Sequence, residues 1–235
     1  MVKAGVCKTL IGGSNPPVAS NSILDPGPGP GVPGLLIPAM IDDQTRSVLD
    51  RLEQQDAIER EQAVPRSRRL RQVTPDLGRF LHILVLATRP RSMLEIGTSG
   101  GYSTIWLAAA ARAVGAALTT LEIDPAKIEA ATRNLHDAGL ADAARIVPGD
   151  AFAYLRERRE PIDFVFLDAE KEDYEAFLEL IVPLLPPGGL LAADNLTSHA
   201  DDLAGFRRRA ETDSRLSAVV VPIGRGELLA VRAED

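Results

Sequence analysis

The sequence Ser-Met-Leu-Glu-Ile-Gly-Thr-Ser-Gly-Gly-Tyr-Ser at residues 92–103 decides the fold. Its first part is mostly apolar, as in a buried strand, and its glycines then form a turn before a helix that begins at Tyr102. Glycines in such a turn let the backbone approach a ligand closely, and the helix N-terminus presents free N–H groups. We therefore interpret this stretch as the first strand, turn and helix of a ligand-binding α/β domain.

Strands and helices alternate along the rest of the chain. Amphipathic periods predict helices over about 43–61, from Pro75 onwards, and over Tyr102–Ala111, Pro125–Ala138, Ala151–Arg158, Tyr174–Leu185 and Asp201–Thr212. Apolar runs predict strands over Ser92–Ile96, Ala117–Ile123, Arg145–Val147, Ile162–Leu167, Leu190–Ala193, Ser217–Pro222 and Glu227–Val231. This alternation predicts an α/β fold with a doubly wound, mostly parallel, seven-stranded sheet of the Rossmann-like type and a C-terminal antiparallel hairpin.

The first part of the chain has a different composition. Residues 1–39 are rich in proline and glycine and have no helical or strand period, so we expect a disordered N-terminal extension. Met40 is an alternative start, and a real but unstructured tail is equally compatible. Residues 40–235 are expected to form one domain, since 45% hydrophobic content suffices for a single core.

Composition excludes several classes of protein. The net charge of −7 argues against an extended nucleic-acid surface. No apolar run is long enough to span a bilayer, and Cys7 is the single cysteine, which suits a reducing compartment. We expect a cytoplasmic protein that binds neither nucleic acid nor membrane.

Two apolar strands each end in acid. Phe164–Leu167 stops at Asp168, and Leu190–Ala193 stops at Asp194 and Asn195. Parallel strands present their carboxyl ends at one edge of the sheet, so these oxygens would suit a hard cation such as Mg²⁺. Each acid could alternatively cap the helix that follows it.

Acids also mark the first and second strands. Glu95 precedes the glycine turn, which matches the G-x-G-x-x-G pattern of nucleotide oxidoreductases poorly. An acid there suits a positively charged ligand, such as the amino group of S-adenosylmethionine. Glu122 ends the next strand at a spacing suited to the ribose hydroxyls. Asp150 either accepts from an adenine amine or caps its helix through Phe152.

A basic stretch, Arg66-Ser67-Arg68-Arg69-Leu70-Arg71, precedes the first strand. The simpler interpretation is a solvated loop or helix face. The alternative is a site for an anion or a partner.

Five motifs in unbroken order resemble the cation-dependent O-methyltransferases, the family of the caffeoyl-CoA and catechol enzymes. The motifs are Thr74–Gly78, Leu94–Ser103, Leu121–Asp124, Phe166–Lys171 and Ala193–Asn195. The resemblance covers about residues 40–232. It implies an enzyme that uses S-adenosylmethionine and Mg²⁺ or another divalent cation, acts on a small aromatic hydroxyl compound and forms a homodimer.

The resemblance also implies roles for individual residues. The metal ligands would be Asp168, Asp194 and Asn195. Asp168 and Lys171 form the family's D-x-x-K arrangement and would be the catalytic residues, with Lys171 beside the acceptor hydroxyl as general base. Tyr102 would pack near the methionine end of S-adenosylmethionine. The other implied cofactor-binding residues are Glu95, Gly97, Thr98, Ser99, Ser103, Glu122, Gly149, Asp150 and Asp168.

The chemistry of methyl transfer agrees with these roles. Two adjacent hydroxyls that chelate Mg²⁺ become more acidic and are held in a fixed orientation. A lysine beside a dication loses its proton more readily and can then accept one. The alternative for Lys171 is a surface lysine paired with Glu170 or Glu172.

The identity of the acceptor stays open at this level. The stretch after Asn195 is shorter than in the plant caffeoyl-CoA enzymes, and Glu170 stands where the animal catechol enzymes have an aromatic residue. We expect a vicinal dihydroxy aromatic, with a natural-product hydroxyl as the alternative. A nucleotide-dependent oxidoreductase and a non-catalytic binding module fit the motifs less well.

Overall fold

Strands and helices alternate in the computed structural model, which describes residues 41–65 and 69–234. The helices are α1 Asp43–Glu61, α2 Pro75–Thr88, α3 Tyr102–Val114, α4 Pro125–Asp137, α5 Ala151–Glu157, α6 Tyr174–Ile181 and α7 Ala204–Thr212. The strands are β1 Ser92–Ile96, β2 Ala117–Glu122, β3 Ala144–Pro148, β4 Phe164–Leu167, β5 Leu190–Ala193, β6 Leu216–Val221 and β7 Glu227–Arg232. The expected N-terminal extension and residues 66–68 of the basic stretch lie outside the described residues.

The seven strands form one sheet in the order β3-β2-β1-β4-β5-β7-β6. The first five strands are parallel, and β7 is antiparallel to both β5 and β6. The order reverses between β1 and β4, which is where ligands bind in sheets of this kind. The predicted doubly wound sheet with a closing hairpin is confirmed.

Helices cover both faces of the sheet. One core cluster joins side chains of α1, α2 and α3, among them Leu49, Leu81 and Trp106. The other joins α6 and α7 to the opposite face and includes Phe177 and Phe206. Burial on both faces explains why β4 and β5 are apolar at every position, rather than alternating as in a half-exposed sheet.

Local sequence signals place most helix ends. Asp42 caps α1 by accepting from Thr45 N at 2.7 Å, and Thr74 caps α2 with Pro75 in the first position. The helix predicted to reach Leu185 instead ends at Ile181 and continues as a 3-10 turn over Val182–Leu184. Pro183 explains the difference, because it has no N–H for the next α-helical hydrogen bond.

The register of the central strands brings four functional positions into one row. Ile96 pairs with both Leu121 and Leu167, and Leu167 pairs with Ala193. The residues that follow these four positions are therefore level with one another at the carboxyl edge of the sheet. They are Gly97, Glu122, Asp168 and Asp194. None of the described helices is both long and apolar enough to cross a bilayer.

Candidate active site

A cavity of about 560 Å³ lies at this edge of the sheet. The predicted site residues that line it are Gly97, Ser99, Glu122, Gly149, Asp150, Asp168, Lys171 and Asn195. Those outside its lining are Glu95, Thr98, Tyr102, Ser103 and Asp194. The cavity therefore brings together the glycine turn and most of the oxygen cluster, which sequence reasoning had assigned to the cofactor and the metal.

Gly97 is required where β1 passes β4. Its φ is +102°, and a Cβ at this position would lie 2.2 Å from the carbonyl oxygen of Asp168. Both the backbone conformation and the space therefore exclude a side chain. Gly97 thus allows the glycine turn and the acid at the end of β4 to lie directly beside each other.

We expect Gly97→Ala to destabilise the fold by about 3 kcal/mol or more, because it combines backbone strain with a clash against main chain. Urea denaturation gives the free energy of unfolding. The matched control is Gly115→Ala, with φ +75° but no atom within 4 Å of the added Cβ. The control should lose about 1 kcal/mol from strain alone. Equal losses for the two variants would contradict the close approach at Gly97.

Glu122 holds the turn and also faces the cavity. Its carboxylate accepts from Ser99 N at 2.8 Å, Ile123 N at 2.9 Å and Asp124 N at 3.0 Å. A carboxylate offers about four acceptor positions, so one remains for a ligand hydroxyl. Ser99 fixes the other side of the turn, since its hydroxyl donates to the carbonyl of Leu70.

Asp150 caps α5, one of the two roles that its sequence position left open. It accepts from Phe152 N at 2.8 Å and also lines the cavity, so the cap does not exclude a ligand contact. Gly149 beside it has φ +135° and open space where a Cβ would stand. This part of the cavity therefore has room for a ligand against bare backbone.

Glu95 is completely buried and bound by hydroxyls. It accepts from Ser103 Oγ at 2.6 Å, Thr104 Oγ1 at 2.5 Å and Thr120 Oγ1 at 2.6 Å. Burial raises the pKa of Glu95 to about 7, although these hydrogen bonds oppose the shift. Thr98 extends the cluster through a hydroxyl contact of 2.5 Å with Thr120. Glu95, Ser103 and Thr98 thus belong to one buried hydrogen-bonded cluster beside the glycine turn. Their predicted contacts with the cofactor stay predictions.

Tyr102 does not line the cavity. It is 2% exposed, and its hydroxyl donates to Glu53 of α1 at 2.7 Å. Burial is the main reason that the pKa of Tyr102 is raised far above its ordinary value. This contact connects α1 to the first helix after the turn, and the expected packing of Tyr102 near the methionine end stays a prediction.

Asp168, Asn195 and Lys171 form one connected cluster on the cavity wall. Asp168 Oδ1 accepts from Lys171 Nζ at 3.0 Å and from Asn195 Nδ2 at 2.9 Å. Lys171 also donates to the carbonyl of Ala169 at 2.8 Å and to Tyr174 Oη at 3.1 Å. The lysine is therefore held in the site by three acceptors and is not a surface residue paired with Glu170 or Glu172.

Asp194 lies directly behind this cluster. Its Oδ1 accepts from Asn195 N at 2.6 Å, while Oδ2 is buried without a hydrogen-bond partner in the described part of the chain. Burial, and next the charge of Asp168, raise the pKa of Asp194 to about 7. A buried carboxylate oxygen without a partner is costly unless a cation or proton satisfies it.

The predicted metal ligands have the right chemistry for a hard cation. Two carboxylates and one amide offer oxygen atoms, and the open Oδ2 of Asp194 supplies an unsatisfied one. Asn195 now turns Nδ2 towards Asp168, so binding through its oxygen requires a flip of the amide. Within residues 41–65 and 69–234, no three His, Cys, Asp or Glu side chains lie together as a metal-binding group.

Sequence reasoning missed Tyr174 and Glu227. The Tyr174 hydroxyl lies 3.2 Å from the carbonyls of Leu167 and Asp194, so it connects the ends of β4 and β5 to Lys171. The spacing Asp168-x-x-Lys171-x-x-Tyr174 is the sequence signal that could have identified Tyr174.

Glu227 is fully buried with both carboxylate oxygens unpartnered among the described residues, and burial raises its pKa well above the ordinary value. The sequence carried no signal for Glu227, because its burial depends on the pairing of β7 with β5.

Comparisons with known proteins identify the family of this chain. A family model described as O-methyltransferase matches residues 46–233. The catechol O-methyltransferase of Niastella koreensis is 38% identical over 128 residues, which cover 53% of this chain and 58% of that protein. The catechol O-methyltransferase of Mycobacterium tuberculosis is 41% identical over 125 residues, covering 53% of this chain and 56% of that protein. The match thus spans less than two thirds of either relative.

A solved structure is similar over more of its length. An O-methyltransferase from Bacillus cereus in complex with SAH superposes with a TM-score of 0.67 at 31% identity. The match covers 84% of this chain and 93% of that one.

Proposed function

The chain belongs to the O-methyltransferase family, and from this premise we propose that it methylates a hydroxyl of a vicinal dihydroxy aromatic compound, using S-adenosylmethionine and a divalent cation. The observation that carries the proposal is the row of Gly97, Glu122, Asp168 and Asp194 at the carboxyl edge of the sheet, where the cavity lies. It joins a glycine turn suited to the methyl donor with oxygen atoms suited to a metal-chelating acceptor. Cytoplasmic location and a homodimer stay predictions.

The residues of the glycine turn would hold the methyl donor. Gly97 lines the cavity, Gly149 has open space where a Cβ would stand, and Glu122 keeps one acceptor position for a ligand. Bound S-adenosylmethionine would supply a methyl group from its positively charged sulfur. The relatives named as catechol O-methyltransferases support an aromatic acceptor with two adjacent hydroxyls.

The acidic end of the cavity would hold the acceptor. Asp168, Asp194 and Asn195 would bind the cation, which would make a chelated hydroxyl more acidic. Lys171 then takes the hydroxyl proton on Nζ while the oxygen forms its bond to the methyl carbon and the sulfur–carbon bond breaks. Tyr174 holds the lysine in place through its contact of 3.1 Å with Nζ.

We expect purified protein to methylate catechol with S-adenosylmethionine and Mg²⁺ and to lose this activity in EDTA. Product is measured by mass spectrometry, and excess Mg²⁺ should restore it. Turnover that EDTA leaves unchanged would contradict the metal requirement alone. Absence of methylated product from any vicinal dihydroxy aromatic, with Mg²⁺, Mn²⁺ or Zn²⁺ supplied, would contradict the proposed acceptor.

A further inference from the structure

One guanidinium at the acceptor end of the cavity has no role in the mechanism above. Arg225 occupies the tip of the β6–β7 hairpin and lines the cavity together with Lys171, Asn195 and Ser198. Its backbone is fixed, because its carbonyl accepts from Thr197 N at 2.9 Å, Ser198 N at 3.1 Å and Thr197 Oγ1 at 2.6 Å. The hairpin tip is thereby attached to the segment that directly follows Asp194 and Asn195.

The turn itself has little freedom to move away. Gly226 has φ +87°, and a Cβ there would lie 1.9 Å from Thr197 Oγ1. The carbonyl of Gly226 also accepts from Leu196 N at 2.9 Å. Arg225 is therefore carried on a rigid support beside the predicted metal ligand Asn195, which is the arrangement expected of a binding residue rather than of a mobile surface arginine.

The guanidinium of Arg225 is poorly satisfied within the protein. Its hydrogen bond in the described residues is a long one, from Nη2 to the carbonyl of Gln72 at 3.4 Å. It makes no ion pair with any acid of residues 41–65 or 69–234. Since a guanidinium carries five N–H donors in a planar fork, most of its capacity is available to a ligand.

The balance of charge at this end of the cavity favours an anion. Arg71 is matched by Glu170, and Lys171 is matched by Asp168. Arg69 also lines the cavity, and its buried Nε donates no hydrogen bond to any described residue. Without a metal, the charge of Arg225 acts on Asp194. A dication held by Asp168 and Asp194 would offset that acid and leave Arg225 free to attract an anion.

These observations extend the proposed function and rest on it. We propose that the acceptor is a dihydroxy aromatic that carries a carboxylate, and that Arg225 binds this carboxylate through its planar fork. A bidentate pair of this kind fixes orientation as well as adding affinity. The acceptor would then be held at both ends, by the cation at its hydroxyls and by Arg225 at its acid group.

The test compares two acceptors that differ only in charge, protocatechuate and its primary amide. Arg225→Gln should raise the KM for protocatechuate about 10- to 100-fold and leave kcat nearly unchanged, since a charge-assisted pair is lost from binding. Both constants for the amide should stay within about twofold of the wild type. Arg225→Lys should restore part of the preference, because it keeps the charge but not the fork.

The control variant is Arg208→Gln, which removes an exposed arginine from α7 outside the cavity. It should alter the kinetics of neither compound. If Arg225→Gln impairs the two acceptors equally, or impairs neither, the proposed carboxylate site is wrong, although the methyl-transfer proposal stands. If the wild type methylates catechol but neither of these two acceptors, the carboxylate site is wrong and the proposed function stands. If it methylates no vicinal dihydroxy aromatic, the proposed function fails and the carboxylate site fails with it.

Discussion

Replacing Asp168 by alanine is expected to reduce kcat/KM with a catechol acceptor roughly 1000-fold, the effect of losing several kcal/mol of stabilisation by a metal ion. Asp168 is the residue that joins the two halves of the site. Its side chain meets Lys171 and Asn195, whereas its backbone carbonyl adjoins Gly97. The substitution removes the first set of contacts and keeps the second.

Cofactor affinity separates loss of the metal from loss of the fold. Because the carbonyl of Asp168 is unchanged, the dissociation constant for S-adenosylmethionine, measured by isothermal titration calorimetry, should change less than about tenfold while Mn²⁺ binding is lost. Glu172→Ala removes an exposed acid nearby and should leave turnover and both affinities unchanged. Retained metal binding in Asp168→Ala would show that the cation is held elsewhere.

Replacing Lys171 by methionine is expected to lower kcat about 10²–10⁴-fold near neutral pH, the usual contribution of a general base. The loss should become smaller as pH rises, because the acceptor hydroxyl then loses its proton to solvent without help. The measurement is the ratio of wild-type to variant kcat across the pH range.

Lys171→Arg is the informative companion to this variant. Arginine keeps the positive charge beside Asp168 but stays protonated, so it cannot accept the proton. If Lys171 is the general base, both Lys171→Met and Lys171→Arg should lose activity. If the arginine variant retains wild-type activity, the lysine acts only through its charge. Thermal unfolding of both variants checks that loss of the contacts to Ala169 and Tyr174 has not unfolded the chain.

Parts of the site that depend on local order could be predicted from the sequence. Apolar runs that end in acid gave the positions of Asp168 and Asp194, and the glycine turn gave that of Gly97, because parallel strands align their carboxyl ends. Glu122 followed from the same rule applied to β2. These predictions required only the hydrophobic pattern of each strand and the identity of the residue that follows it.

Parts that depend on pairing between distant segments could not be predicted. The surroundings of Glu95 are one case: three hydroxyls from α3 and β2 donate to it in the buried layer of the sheet. A strand's period of two gives the side on which a residue lies, but it does not show which neighbours cover it. The hydrogen bond of Tyr102 could not be predicted for the same reason, because its partner Glu53 belongs to a helix far upstream.

The sequence by itself determined the alternating α/β fold, the glycine turn and the acids at the strand ends. Each of these depends only on the local hydrophobic periodicity and on the residues at the ends of strands and helices. The tertiary structure alone decided what surrounds them. By placing β7 between β5 and β6, it brings Glu227 into the buried layer at the start of the strand and Arg225 over the segment after Asn195. No local pattern encodes that insertion, since it depends on the register and order of strands that meet only when the whole sheet forms.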